Sequence, residues 1–403
     1  MNSEGAAGGE FSLLDSYSKK VVDAKWGDKR FEFEIPLSVF SSYQLDLGSL
    51  RLLRVLESTG PKWERVLDLG CGYGLIAMHV AANGICRSPF GIDRDILGVE
   101  FARRNAGRND LPQCSFAGGL AYEDVPPGQY SAVVSNIPAK AGEAAHRMML
   151  LNAGALVGPG GEVWIVVIES LEAVVDSILG ADGVSVTRKK KFNGHVVYSY
   201  RFERPVPLQP SYVPRRVSMK WEAHSLDVSV FEGLPDEDGP SPATGLLAAC
   251  LARFSARSGC RRAAICDPGQ GYLAVLFPAI CREAGEVLLV SRDALGLRAS
   301  ALNLRSAARE MGVSTHHAVS YWTAGMGRDL DVFAAVLNKG EGVEIACFKI
   351  AEALEGSPGA VFIAACPASR RLRIVKALKA LGVEAREEAD RRGICVLKCA
   401  AER

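Results

Sequence analysis

One pattern occurs twice along this chain, and that repetition constrains the fold more than any other feature. The first copy runs through Val39-Phe40-Ser41, Asp46-Leu47-Gly48-Ser49, a helix-like stretch at 50–56, and Arg65-Val66-Leu67-Asp68-Leu69-Gly70-Cys71-Gly72-Tyr73-Gly74. A second apolar strand then ends in Gly91-Ile92-Asp93-Arg94-Asp95, and a helical run leads to Asn105. The second copy runs through Val230-Phe231-Glu232, Ala243-Thr244, an apolar helix at 245–254, and Ala264-Ile265-Cys266-Asp267-Pro268-Gly269-Gln270-Gly271-Tyr272. Its next strand ends in Leu289-Val290-Ser291-Arg292-Asp293, and a helix follows to Asn303. Asp93 stands twelve residues before Asn105, and Ser291 twelve before Asn303. An ordered series of such matches implies a tandem duplication.

A length of 403 residues also asks for more than one core. The expected division is a first domain at 1–204, a Pro-rich basic linker at 205–216 and a second domain at 217–403. Pro205, Pro207, Pro210 and Pro214 cannot continue a helix or a central strand. Within the first copy, short β-branched runs at 65–69, 88–93, 132–135, 162–168 and 184–188 alternate with amphipathic helical runs. Asn193-Gly194 then turns a hairpin into a last strand at 196–202. Alternation of this kind predicts an α/β fold: two tandem Rossmann-like domains, each a doubly wound, mostly parallel sheet closed by an antiparallel hairpin.

Composition excludes several classes. Apolar residues make up 48% and charged residues 23% of the chain. No apolar run approaches the ~20 residues that span a bilayer, and the start, Met1-Asn2-Ser3-Glu4-Gly5, lacks the character of a signal peptide. A cytoplasmic protein with a disordered lead-in is expected. Eleven cysteines without a C-x-x-C pair read as buried, reduced thiols, and six histidines without ligand spacing predict no metal. Net charge is only +1, yet Val184 to Trp221 holds nine Lys or Arg residues and one acid, Glu203. Such a stretch is either a solvated face or a contact for a phosphate backbone.

The glycine-rich loop Gly70-Cys71-Gly72-Tyr73-Gly74 follows an apolar strand and precedes a helix, so the backbone can approach a ligand closely. A dinucleotide is disfavoured. The spacing is G-x-G-x-G, and Asp68 would meet an incoming pyrophosphate with like charge. A carboxylate there suits a ligand bearing an ammonium and a sulfonium, as S-adenosyl-L-methionine (SAM) does. Asp93, at the next strand end, is placed to accept both hydroxyls of a ribose, with Arg94 beside it. The adenine pocket is expected along Gly118-Gly119-Leu120. No acid stands there, although Glu123 and Asp124 follow, so the backbone of Gly119 and Leu120 is expected to read the base.

After the fourth strand comes Asn136-Ile137-Pro138-Ala139. An amine conjugated to a ring is a poor nucleophile. Acceptors on the Asn136 side chain and the Ile137 carbonyl would hold its two hydrogens, turning the nitrogen lone pair toward a methyl donor, with Pro138 shaping the turn.

The order of glycine loop, ribose acid and Asn-x-Pro resembles that of amino-group methyltransferases, whose motif is Asn-Pro-Pro-Phe/Tyr. With Val39-Phe40-Ser41 and Leu45-Asp46-Leu47-Gly48-Ser49, the chain resembles the small-domain methyltransferase family, ribosomal RNA guanine-N2 methyltransferases of the RsmC and RlmG type. The resemblance implies SAM as methyl donor and a guanine amino group in ribosomal RNA as acceptor. It implies one active and one degenerate domain, with Asp46 and Ser49 helping to close the cofactor pocket; a monomer is expected. Other acceptors consistent with the motif are adenine and a protein glutamine amide; a non-catalytic RNA-binding scaffold is the remaining alternative. The chain departs from the pattern at Ile137, at Ala139, which replaces the base-stacking aromatic, and in the order of the copies: here the degenerate one comes second. Phe40, Tyr43 and Phe192 are candidates for the missing stack. In the second copy Ser291 takes the place of Asp93, and Asn338-Lys339-Gly340 that of Asn136-Ile137-Pro138. That domain is expected to support folding or to bind substrate, with Arg370, Arg371, Arg373, Lys376 and Lys379 as a basic helix face.

Overall fold

A computed structural model describes residues 12–37, 45–221, 224–337 and 340–402. The first half contains α1 (Leu13–Tyr17), β1 (Ser18–Trp26), β2 (Lys29–Pro36), α2 (Leu47–Thr59), β3 (Trp63–Leu69), α3 (Leu75–Ala82), β4 (Cys86–Asp93) and α4 (Ile96–Arg108). It continues with β5 (Ser115–Gly118), β6 (Tyr130–Asn136), α5 (Glu143–Leu151), β7 (Val157–Ile168), α6 (Glu172–Leu179), β8 (Val184–Phe192) and β9 (His195–Phe202). The second half contains β10 (Arg215–Trp221), β11 (His224–Val230), α7 (Pro242–Ser258), β12 (Arg262–Cys266), α8 (Tyr272–Ile280), β13 (Glu286–Ser291) and α9 (Ala294–Ala307). It ends with β14 (Gly312–His317), β15 (Val332–Val336), α10 (Val343–Gly356), β16 (Val361–Pro367), α11 (Arg371–Ala380), β17 (Val383–Arg391) and β18 (Ile394–Ala401).

Each half folds around a seven-stranded sheet, ordered β5-β4-β3-β6-β7-β9-β8 in the first and β14-β13-β12-β15-β16-β18-β17 in the second. Only the hairpin strands run antiparallel to their neighbours. Central strands such as β6, with Ala132, Val133 and Val134 at most 1% exposed, are apolar on both faces because helices cover both. The chain is therefore α/β with two tandem domains of one topology.

The repeat begins earlier than its sequence signal. The β1–β2 and β10–β11 hairpins are a matching pair, each packed over the helix that follows the second sheet strand. The reason for the repeated asparagine is visible here. Asn105 accepts from the Glu34 N–H (2.8 Å) and donates to the Glu34 carbonyl (3.1 Å); Asn303 does the same to Ser229 (2.8 and 2.9 Å). Each amide satisfies hairpin backbone groups that would otherwise be buried unpaired. The hairpins escape sequence reading because β1 carries Lys19, Lys20, Asp23 and Lys25 among its apolar residues, leaving no clean alternation.

The halves meet through equivalent loops. Arg94 binds Asp293 (2.8 Å) and Arg292 binds Asp95 (2.7 Å). The Ile96 N–H donates to the Arg292 carbonyl and the Ala294 N–H to the Arg94 carbonyl, both at 3.0 Å. Asp95 and Asp293 form a single antiparallel bridge. Contacts that read the same in both directions define an approximate twofold axis. At the other end, Tyr17 is fully buried and its hydroxyl donates to Glu341 (2.5 Å), so the lead-in is docked on the second half from α1 onward. In the 205–214 segment, the Gln209 carbonyl accepts from Asn152 and the Ser211 N–H donates to Glu123. β10 begins at Arg215, inside the last two residues of the expected linker. All eleven cysteines are buried. Among the described residues, no helix is long and apolar enough to cross a membrane, and no three His, Cys, Asp or Glu side chains cluster as metal ligands.

Candidate active site

A crevice of about 450 Å³ opens at the carboxyl ends of β3, β4 and β6, where the strand order reverses. Its lining includes Asp46, Ser49, Gly70, Cys71, Gly72, Asp93, Arg94, Asn136 and Pro138.

The loop between β3 and α3 turns tightly because Gly70, Gly72 and Gly74 all adopt positive φ (73°, 51° and 90°), a region L side chains rarely occupy. The Gly74 N–H closes the turn on the Cys71 carbonyl at 2.9 Å. Gly98 on α4 lets that helix press against the loop: a Cβ there would stand 3.2 Å from the Gly72 backbone. Asp93 holds the loop from the next strand, accepting from the Gly72 N–H through one oxygen and from the Asp95 N–H through the other, both at 2.9 Å. Burial raises the Asp93 carboxyl to about 6. Asp68, fully buried beneath the loop, accepts from the Ala77 N–H (2.9 Å) and leaves its second oxygen without a partner. Burial raises it to about 7. It does not line the crevice; it lies one layer below.

Asn136 ends β6 with its orientation set by the start of α2. Asp46 caps that helix, accepting from the Ser49 N–H at 2.7 Å. The same Asp46 oxygen accepts from the Asn136 side-chain nitrogen (2.5 Å), and the Ser49 hydroxyl accepts from it as well (3.0 Å). Two acceptors fix the nitrogen, so the amide oxygen is the end left to meet a ligand. Pro138 follows in the wall, its carbonyl facing His146 at 2.8 Å. His195, on the β8–β9 hairpin, packs against Gly48 and meets Arg51. Its pKa is lowered by burial and by that guanidinium. Nothing in the sequence pattern pointed to His195.

Other expected residues stand back. Ile137 is 2% exposed, its N–H bonded to Val166 (3.0 Å). The Gly119 N–H donates to the Asp93 carbonyl (2.9 Å) and the Leu120 N–H to Asp124 (2.7 Å). Neither residue lines the crevice; Ala121 does. Glu123 is occupied by Ser211 and Arg298. Phe192 lies between the cations of Arg51 and Lys190, outside the lining set, while Phe40 and Tyr43 fall outside the described residues. Of the nine basic residues in 184–221, Lys189, Lys191, Arg201, Arg204 and Arg215 pair with carboxylates. Arg188, Lys190, Arg216 and Lys220 have no carboxylate partner among the described residues. In α11 and the turn before it, Arg371 and Arg373 pair with Glu387 and Glu344, and Arg370 donates to the Glu341 carbonyl. The basic face is thus partly an intramolecular one.

The second half corrects the sequence match by two residues. Gly271, at φ 86°, caps α8 as Gly74 caps α3, and Gly269 (φ 55°) matches Gly72. Asp267, at φ 46°, therefore occupies the place of Gly70, and Ile265 that of Asp68. Likewise the Leu337 N–H bonds Ala365 as the Ile137 N–H bonds Val166, which puts Val336 in the place of Asn136. Asn338 and Lys339 lie outside the described residues. By the same register Glu341 and Lys349 replace Ala141 and Met149. The buried Lys349 links Asp267 (3.4 Å) to Glu341 (3.3 Å), two carboxylates that line the equivalent crevice of the second half. A carboxylate stands where close backbone approach is needed, and an ion cluster stands where the first half is apolar.

A family model described as the methyltransferase small domain matches residues 30–199. YbxB of Bacillus subtilis, an uncharacterized protein, is 30% identical over 185 residues, covering 43% of this chain and 88% of its own length. Ribosomal RNA large subunit methyltransferase G of Streptomyces coelicolor is 33% identical over 134 residues, of which this chain spans only 35% of the relative's length. The solved structure of the T. thermophilus 16S rRNA N2 G1207 methyltransferase RsmC, in complex with AdoMet and guanosine, superposes with a TM-score of 0.67 at 18% identity. It covers 97% of this chain and 100% of its own, so the two-domain fold is shared throughout. From residue 30 to the hairpin that closes the first sheet, the chain belongs to the small-domain methyltransferase family.

Proposed function

We propose that the first half is a SAM-dependent N-methyltransferase acting on the exocyclic N2 amino group of a guanine in ribosomal RNA. The observation that carries this reading is the Asn136 amide, held by Asp46 and Ser49 with its oxygen free, in the same crevice as the Gly70–Gly74 loop and Asp93. The residues fit SAM. The left-handed glycines allow close approach, Asp93 has lone pairs left for a ribose diol, and Asp68 braces the loop from beneath through the Ala77 N–H. Cys71, Gly72 and Arg94 complete that wall, with Gly119 and Leu120 behind it.

The cofactor supplies a methyl group on a sulfonium. The protein's part is placement. In this reading the Asn136 oxygen accepts one amine hydrogen and the main-chain carbonyl of Ile137, whose side chain packs back into the core, accepts the other, which aims the nitrogen lone pair. No strong base is needed, since the nitrogen becomes acidic as it is alkylated. Pro138 and Lys140 border the acceptor side, where Lys140 meets a phosphate. Arg188 and Lys190 extend a basic edge for RNA, and the protein works as a cytoplasmic monomer. The second half, with Asp267 and Val336 at the critical places, holds no SAM in its own crevice and serves as support.

Mass spectrometry of ribosomal RNA nucleosides from a deletion strain tests the reading. Loss of one N2-methylguanosine, restored by the wild-type gene, is expected. An unchanged N2-methylguanosine content overturns the guanine assignment; loss of a different methylated amine moves the acceptor to adenine or a protein amide.

A further inference from the structure

Three residues lining the crevice come from beyond the first sheet: Tyr212, Glu232 and Gly233. The geometry points to Glu232 as the acceptor that reads the 6-amino group of the cofactor's adenine, so the cofactor pocket is completed by the second half. This inference rests on the proposal that the crevice holds SAM.

The direction of the ligand follows from its chemistry. Its amino-acid arm leaves the ribose at C5′ and lies over the glycine loop, while its base leaves at C1′, on the other side of Asp93. On that side the walls are Ala121, Ala145 and Met149, apolar and shaped for a ring. The two acids that follow Leu120 in the first half, Glu123 and Asp124, do not line the crevice. Asp124 is held by the Leu120 N–H, and Glu123 by Ser211 and Arg298. Yet an adenine amine buried without an acceptor would weaken binding.

Glu232 is held at this end. Arg94, the neighbour of Asp93, donates to the Gly233 carbonyl (2.9 Å) and hydrogen-bonds the Tyr212 side chain. The Glu232 carboxylate lies over the start of α5, where a Cβ on Gly142 would collide with its Oε1. That carboxylate takes part in no hydrogen bond or ion pair among the described residues, although it borders the crevice. An ionised acceptor facing an amine makes a stronger bond than a neutral one.

The test is calorimetric binding to the full chain of SAM and of its 6-deamino analogue, in which purine replaces adenine. Wild type is expected to bind SAM about tenfold tighter than the analogue. Glu232→Ala should weaken SAM about tenfold, to the level of the analogue, and leave the analogue unchanged; Glu232→Gln, which keeps an acceptor, should retain most of the preference. Equal loss for both ligands, or no loss for either, overturns the assignment of Glu232 while leaving the cofactor site standing. Failure of wild type to bind either ligand overturns the site and this inference with it.

Discussion

Asn136 offers one oxygen because its nitrogen is already engaged by Asp46 and Ser49. The side chain should therefore matter to the reacting amine far more than to the cofactor. Asn136→Ala is expected to lower kcat by about 10²–10³, the range typical of removing a preorganised polar group, with SAM affinity nearly unchanged in a titration. Asp93 differs in that its charge is conditional. Its folded pKa is raised from 3.8 to about 6, so the empty crevice takes up a proton as pH falls through about 6. A ribose diol needs the carboxylate. SAM affinity should then be level above about pH 7 and fall as pH drops below 6, and Asp93→Asn should be weaker throughout and lose that slope. An affinity independent of pH in wild type would remove Asp93 from the ribose.

At the scale of elements, α2 has two tasks at one residue. Asp46 caps the helix through the Ser49 N–H and also holds Asn136. Asp46→Ala should lower stability by about 1 kcal/mol, as loss of a cap does, and depress kcat as well. Ser49→Ala keeps the cap and removes only the second acceptor, so denaturant melts should show little change while kcat still falls. Equal stability losses in the two variants would contradict this division. The same elements mark how far the sequence could be read. The glycine loop, Asp93 and Asn136 are legible because each is a short local pattern next to a strand end. Gly119 and Leu120 were expected to read a base, but their N–H groups are taken by Asp93 and Asp124, bonds invisible in one dimension. The frame of the second copy differs from the sequence match because Asp-x-Gly-x-Gly fits two registers; the place of Gly271 at the start of α8 and the left-handed φ of Asp267 separate them. Tyr212 and Glu232 lie far along the chain from the loop they approach, and no spacing announces such a meeting.

For the whole molecule, the Arg94–Asp293 and Arg292–Asp95 pairs join the halves beside the ribose carboxylate. Burial pushes the Asp95 carboxyl up, and Arg292 opposes that shift. Arg292→Ala leaves Asp95 buried without its guanidinium. A loss of about 1–3 kcal/mol is expected, below the fully buried limit because both side chains are partly exposed, together with weaker SAM binding. A melt and a titration on the same sample check both. If the melting point falls while SAM affinity does not, the second half braces the fold but not the cofactor loop.

His317 sits on the axis between the halves and donates its Nε2 proton to two carbonyls, those of Arg94 and Arg292, each at 3.0 Å. Its counterpart across the axis is Gly118, where any side chain would collide with the imidazole: a Cβ would lie 2.5 Å from the ring. Two identical second halves brought together in this way would thrust two rings into one space, and two identical first halves would leave a hole with neither ring to fill it. The join is thus a handshake that requires unlike hands, which a single gene encoding both can supply and a pair of interchangeable subunits cannot.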